Sequence, residues 1–340
     1  MKTSRSNRPT QADVARLAGV SQAMVSYVLN DNAVIVVPAE TRQRIMEVID
    51  RLGYVPDRAA QSLRTRKTYT IACIMPDITN PFYPAFERGI QNVAERHGYD
   101  LITYNTDGLA EKERACLRSV QRGRVDGVIG VFFHLTAAHL RPLLDRDAAV
   151  ARLEARRPET GPLPLDNLYV DNAAAARDVV SYLIDRGHAR IGMIAGQQGP
   201  RGPRVLGYRA ALDDHHIPYD DTLIRGGDFA EEGGYQGARE LLALSPRPTA
   251  VFAANDLMAM GALIALREAG LGVPGDVAVV GFDDIPFARL VSPPLTTVAQ
   301  RGDEIGRRAA EMVFERLSGA APPEGRCEEM PYKLVVRASA

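Results

Sequence analysis

From Tyr69 onward, short apolar runs alternate with amphipathic stretches, and this alternation constrains the fold more than any other feature of the chain. Strand-like runs fall at 70–76, 100–105, 125–133, 189–195, 250–254 and 277–282. Helix-periodic stretches lie between them at 85–97, 111–122, 173–186, 205–215, 232–242 and 257–269. Strands joined through helices pair in parallel and are covered on both faces. So many elements exceed one comfortable sheet. The expectation is α/β, with two half-similar lobes, each a doubly wound parallel sheet, and a ligand between them at the C-terminal strand ends. The Pro- and Gly-rich stretch 156–166, together with 1–8 and 320–325, reads as the least ordered part of the chain.

The N-terminal segment follows a different, all-helical pattern. Thr10 and Asp13 have the spacing of a capping box, Val14, Leu17 and Ala18 fall on one face, and Gly19 supplies a stop. Ser21 can cap a second helix at once, with Val25, Val28 and Leu29 inward. A third helix begins near Pro38, with Ile45, Val48, Ile49 and Leu52 inward and Gly53 at its end. Two short helices across a tight turn and a third packing helix form a helix-turn-helix, with a plain three-helix cap as the alternative. Charge separates the two regions: residues 1–66 hold ten Lys and Arg against six Asp and Glu, while the whole chain has a net charge of −1. A basic end on an acidic body suits a protein whose N-terminus alone meets a polyanion. Beyond it, Asp57 can cap about two turns of helix, too short to be stable alone. Such a helix is a candidate switch element.

Several chemistries find no support. The three cysteines, Cys73, Cys116 and Cys327, are far apart and lack CxxC spacing, which fits a reducing compartment and neither a disulfide framework nor a zinc site. The first residues have no apolar core of a signal peptide, and no apolar run approaches a membrane span. There is no GxGxxG after a strand, no P-loop and no GxSxG elbow. The six histidines lack metal spacing. The reading is of a cytoplasmic protein without metal, cofactor or catalytic residues, and not of an enzyme.

The motifs Gln11–Ser21, Val25–Asn30, Leu52-Gly53-Tyr54-Val55-Pro56 and Ala59-Ala60-Gln61-Ser62-Leu63 resemble the lactose/galactose-repressor (LacI/GalR) family. So do Asp77–Tyr83, Val125-Asp126-Gly127, Val170-Asp171-Asn172, Arg186-Gly187-His188, Asn255-Asp256, Val279–Asp283 and Pro294–Val298, in order along nearly the whole chain. The resemblance implies a helix-turn-helix over 1–56, a hinge helix and linker over 57–67, and a core over 68–340 similar to periplasmic sugar-binding proteins. In that core the first lobe would comprise about 68–167 and 298–326, and the second about 168–297 and 327–340, with crossings near 166–170, 296–300 and 325–331.

The resemblance also implies a function: a homodimeric transcriptional regulator, a repressor, on a palindromic double-stranded operator, controlled by a small molecule and without a membrane role. Its second helix would enter the major groove, with Gln22, Ala23, Ser26 and Tyr27 reaching base edges. Tyr27 departs from the arginine common in the family, so that position is read differently or the hydroxyl meets a phosphate. Thr10 and Ser21 would place helix N-termini at phosphates, and Asn30 and Arg42 would contact the DNA backbone. Ala60 would let two hinge helices approach, and Leu63 would wedge into the minor groove. Effector contacts carried over by motif are Phe82, Tyr83, Arg204, Phe229, Asn255 and Asp283. An aromatic ring for an apolar sugar face, with Asn, Asp and Arg for hydroxyls, leans toward a sugar, with a nucleobase or other metabolite as the alternative.

Overall fold

The computed structural model describes residues 9–29, 35–55, 67–159 and 161–340. The chain divides into two compact units, Met1–Thr68 and Tyr69–Ala340.

The first unit holds α1 (Gln11–Ala18), α2 (Gln22–Leu29) and α3 (Ala39–Leu52). Thr10 and Asp13 form the expected capping box, and Gly19 ends α1 in the left-handed conformation at φ 67°. Ser21 Oγ accepts from the Met24 N–H at 3.2 Å, capping α2. The three helices share a core of Val14, Ala15, Ala18, Val25, Val28, Ile45, Val48 and Ile49. Leu17, expected inward, is instead 43% exposed. The inward face of so short a helix is filled by Val14, Ala15 and Ala18, and Leu17 lies beyond its edge.

The second unit contains α4 (Phe82–Arg96), α5 (Ala110–Val120), α6 (Ala137–Leu144), α7 (Asn172–Asp185), α8 (Arg201–Asp214), α9 (Glu231–Leu242), α10 (Asp256–Glu268) and α11 (Gly302–Leu317). Its strands are β1 (Thr70–Met75), β2 (Asp100–Asn105), β3 (Gly127–Gly130), β4 (Ala149–Glu154), β5 (Leu165–Tyr169), β6 (Ile191–Ala195), β7 (Ile224–Gly226), β8 (Ala250–Ala253), β9 (Ala278–Val280), β10 (Thr297–Ala299), β11 (Cys327–Glu329) and β12 (Lys333–Val335). One parallel sheet has the order β11-β5-β4-β3-β1-β2 and a second β7-β6-β8-β9, while β10 and β12 pair antiparallel. These are the two lobes, and the chain passes between them after β5, along β10 and after β11.

Strand membership moves the lobe boundaries from those implied by the resemblance. Leu168 and Tyr169 belong to β5, and Cys327–Glu329 add an edge strand to the first sheet, pairing with Asn167, Leu168 and Tyr169. The Tyr169 hydroxyl donates to Glu329 Oε2 at 2.6 Å across that pair. On strand membership the first lobe therefore runs to 169 and to 329, not to 167 and 326. β11 thus brings the chain back to the first sheet before β12 joins β10. In the first lobe α4 and α11 pack backbone to backbone: a methyl on Gly89 would lie 2.1 Å from the Asp303 carbonyl oxygen, and one on Gly306 1.9 Å from that of Phe86.

β5 also corrects the loose reading of 156–166, since Leu165 and Asp166 are buried strand residues. The Asp166 carboxylate accepts from Arg316 Nη2 at 2.7 Å and Nε at 3.1 Å, and from Arg326 Nη2 at 2.9 Å. The Arg326 backbone N–H adds a bond at 2.9 Å. Burial alone would raise the pKa of Asp166, but the two guanidinium forks hold it below the usual carboxylate value. Asp166→Asn should therefore cost about 3–5 kcal/mol at neutral pH, because two cations lose their shared anion. A depressed native pKa means the stabilisation is present above the unfolded carboxylate pKa and is lost as pH falls through the native one. In urea titrations the deficit of the variant should shrink under acid; a deficit below about 1 kcal/mol at pH 7 would contradict this account.

Candidate functional site

A cavity of about 810 Å³ lies between the two lobes, within the usual range for a small-molecule site. Phe82, Tyr83, Arg204, Phe229, Asn255 and Asp283 all line it. They arrive from five places: the start of α4, the first turn of α8, the loop before α9, the end of β8 and the end of β9.

Arg204 is the most constrained of these, at 4% exposure. Its Nε donates to Asn172 Oδ1 at 2.8 Å, and its Nη1 donates to the Ala254 carbonyl. Nη2 stands 4.0 Å from Asp283 Oδ1, and the guanidinium lies 3.7 Å over the Phe282 ring. Burial lowers its pKa to about 10, with Asp283 opposing the shift, so it remains a cation at neutral pH. Asp283 sits at φ 117°, strained for a residue with a side chain, and accepts from Gln300 Nε2 at 2.6 Å. Burial pushes its pKa up to about 6, against the pull of Arg204 and Gln300. Beside it, the buried Asp256 carboxylate accepts from Thr297 Oγ1 at 2.5 Å and from the Ile285 N–H at 2.8 Å. Burial and the Asp283 charge push the Asp256 pKa upward.

Asn255 lines the cavity and is also bonded within the protein. Its Oδ1 caps α10 at the Met258 N–H, 2.9 Å away, and its Nδ2 donates to the Phe229 carbonyl at 2.7 Å. It therefore holds Phe229, whose backbone is left-handed at φ 66°. The Phe229 ring lies against Gly196, where a methyl would come within 1.9 Å of it. Phe82 and Tyr83 meet edge to face at 5.2 Å on the opposite wall. Burial and the Asp283 charge raise the Tyr83 phenol, leaving it protonated and able to donate.

The cavity also collects residues not singled out from sequence: Asn172, Glu154, Arg156, Asp228, Gln300 and the pair Phe132 and Phe133. Asn172 stands in the quoted Val170-Asp171-Asn172 motif, but only the fold reveals its bond to Arg204. The acidic groups Asp77, Asp107, Glu154, Asp228 and Asp283 outnumber Arg156 and Arg204 on the wall. Burial raises the pKa of Glu154, with Arg152 and Arg156 opposing.

In the helical unit, Ser21, Gln22 and Ala23 are exposed at the start of α2, and Tyr27 is partly so. Thr10 is exposed, with its hydroxyl 2.7 Å from Asp13 Oδ2. Ser26 is 9% exposed and faces the packed interior, so it does not stand with the exposed set. Asn30, Ala60 and Leu63 lie outside the described residues. Among the described residues no group of His, Cys, Asp and Glu is arranged to hold a metal ion, and no helix is long and apolar enough to cross a membrane.

A capped three-helix unit ahead of a two-lobed core with a cleft cavity defines a class of DNA-binding regulators with a binding-protein-like core. Residues 10–57 match the bacterial regulatory proteins of the lacI family, and 180–340 match the periplasmic binding protein-like domain. The chain is 35% identical over 333 residues to the HTH-type transcriptional repressor PurR of Vibrio atlanticus (strain LGP32), covering 97% of this chain and 98% of the relative. A solved complex of the transcriptional regulator CelR with cellobiose superposes with a TM-score of 0.73 at 33% identity, covering 98% of this chain and 100% of that one. The lac repressor dimer bound to operator and the anti-inducer ONPF gives 0.85 at 25% identity, covering 98% and 99%. The chain belongs to the LacI family of bacterial regulatory proteins.

Arg204 is buried against Asn172, Ala254 and Asp283, so Arg204→Ala should lower core stability by about 3–5 kcal/mol, leaving Asp283 buried without its cation. Arg204→Lys should recover only part, since an ammonium cannot reproduce the stacked fork. Urea unfolding of the three proteins is the check; a loss under about 1 kcal/mol for Arg204→Ala would show that the wall does not depend on the guanidinium.

Proposed function

We propose that this chain is a cytoplasmic, homodimeric, sequence-specific repressor of transcription whose operator affinity is set by a sugar held between its lobes. The observation that carries the reading is the joining, in one chain, of a capped helix-turn-helix with an aromatic and carboxylate-lined cavity. On the DNA side, Gln22 and Ala23 read base edges, and Tyr27 reads or positions beside them. Ser21 and Thr10 set helix N-termini toward phosphates. Asn30 contacts the backbone, and Ala60 and Leu63 form the hinge wedge. Ser26 supports the reading helix from inside. On the effector side, Phe229, Phe82 and Tyr83 flank the ligand, and Asp283 accepts from its hydroxyls. The surplus of carboxylates on the wall favours a neutral polyol over a phosphorylated ligand, whose charge would be repelled. The chain acts as a binder and not as an enzyme, in keeping with relatives named as repressors. A ligand that prefers one arrangement of the lobes shifts the dimer toward it and so changes operator affinity.

Fluorescence anisotropy with a pool of palindromic, CG-centred duplexes, with and without a panel of neutral sugars, tests this directly. Tight binding to one duplex that one sugar alters is the expected result. Binding that responds only to nucleobases would replace the sugar, and no binding at low salt would remove the repressor reading. Gln22→Ala should cost about 1–3 kcal/mol on the cognate duplex, with little change on random DNA.

The state of Asp283 gives a second test. In the empty cavity its carboxyl is half protonated at about pH 6. Ligand hydroxyls favour the ionised form, so sugar affinity should weaken as pH falls through 6. Calorimetric titrations across that range should show the dependence in the natural chain and a shallower profile in Asp283→Asn; equal slopes in both would exclude Asp283 as the acceptor.

A further inference from the structure

We propose that Phe133 is a latch between the lobes, seated on Gly199 and positioned by the buried carboxylate of Glu113. Phe133 follows β3 in the first lobe, and Gly199 lies between β6 and α8 in the second. A methyl on Gly199 would come 2.4 Å from Phe133 Cε1, closer than any packed carbon. The other flank of the ring meets Gly108 of the first lobe, where an added methyl would stand 3.2 Å away. The ring is thus held between a loop of each lobe, at the cavity wall that all three residues line. Gly199 has φ 58°, so both its backbone and the space above it exclude a side chain.

Glu113 fixes the aromatic from below. It lies on α5 and is fully buried. Its Oε1 accepts from the Phe133 N–H at 2.7 Å, and its Oε2 accepts from His134 and Leu135 N–H groups at 3.0 Å each. A second tie closes the same loop, His134 Nε2 donating to the Gly108 carbonyl at 3.0 Å. Three consecutive amides on one carboxylate are a rigid mount, with charge-assisted bonds stronger than neutral ones. An opening of the cleft therefore separates Phe133 from Gly199 while leaving the ring on its mount. The contact that is made and broken is the one across the lobes, and its strength sets how readily the cavity exchanges its occupant.

Amide hydrogen exchange by mass spectrometry on the full chain, without DNA or ligand, tests the latch independently of any effector. Phe133→Ala should speed exchange in the second-lobe segment 196–203 by about fivefold or more, with Phe133→Leu between it and the natural chain. Gly199→Ala should speed exchange in 132–136, reporting the same contact from the other side. Glu113→Gln should loosen both segments, because an amide cannot accept all three bonds. Strands β1 and β6 serve as controls; where one variant loosens them, the variant on the opposite lobe decides. Unchanged exchange in 196–203 for Phe133→Ala and in 132–136 for Gly199→Ala would overturn the latch. Loosening of 133–135 alone in Glu113→Gln would overturn the positioning role of the carboxylate.

Discussion

A buried cation needs polar partners for its charge, and in this core that demand falls on Arg204. Asn172 answers it at the start of α7, Ala254 at the end of β8, and Asp283 at the end of β9, with the Phe282 ring beneath. The three strand and helix ends that form the second lobe's face of the cavity are thereby held at one point. Asp283 in turn meets Gln300, on the segment that returns the chain to the first lobe. A charge network centred on one guanidinium thus reaches from the floor of the cavity to the connections between lobes. Asp283 thus joins the cavity wall to that network.

The rest of the wall shows a division of labour. Asn255 is committed to Met258 and to the Phe229 backbone, so it shapes the site by holding an aromatic in a strained conformation. The pKa values of Tyr83 and Asp283 are both raised by burial in the cavity wall. Aromatic rings approach glycines at Gly130, Gly196 and Gly199 so closely that a side chain at any of the three would displace them. The volume available to a ligand is therefore set as much by glycines as by the groups that touch it.

The sheet strands β1, β3, β6, β8 and β9 were legible because parallel strands covered on both faces read as unbroken apolar runs. β4 and β5 were not, because Arg152 interrupts one and Asp166 with Asn167 the other. Those charges are buried in partnerships with Glu154, Asn167, Arg316 and Arg326, some of them across more than a hundred residues, which no local pattern shows. Leu17 misled for a related reason: on an eight-residue helix, periodicity marks a face but not its width. In the site, motif resemblance located six cavity residues, whereas Phe133, Glu113 and Asn172 act through contacts between segments that only the fold juxtaposes.

The three passages of the chain between lobes also bear on how the molecule is made. A chain is synthesised from one end, and a lobe assembled from separated segments is incomplete until its last segment appears. The first sheet waits for β11, and with it for Arg326, the second guanidinium on Asp166. The second lobe waits longer, for Ser339, whose hydroxyl donates to Val279 and accepts from Thr296. Both lobes are thus finished almost together, by the same last stretch of chain. During synthesis the helical unit at the front, whose core among the described residues runs from Val14 to Tyr54, has those partners in place while the core behind it is still missing strands.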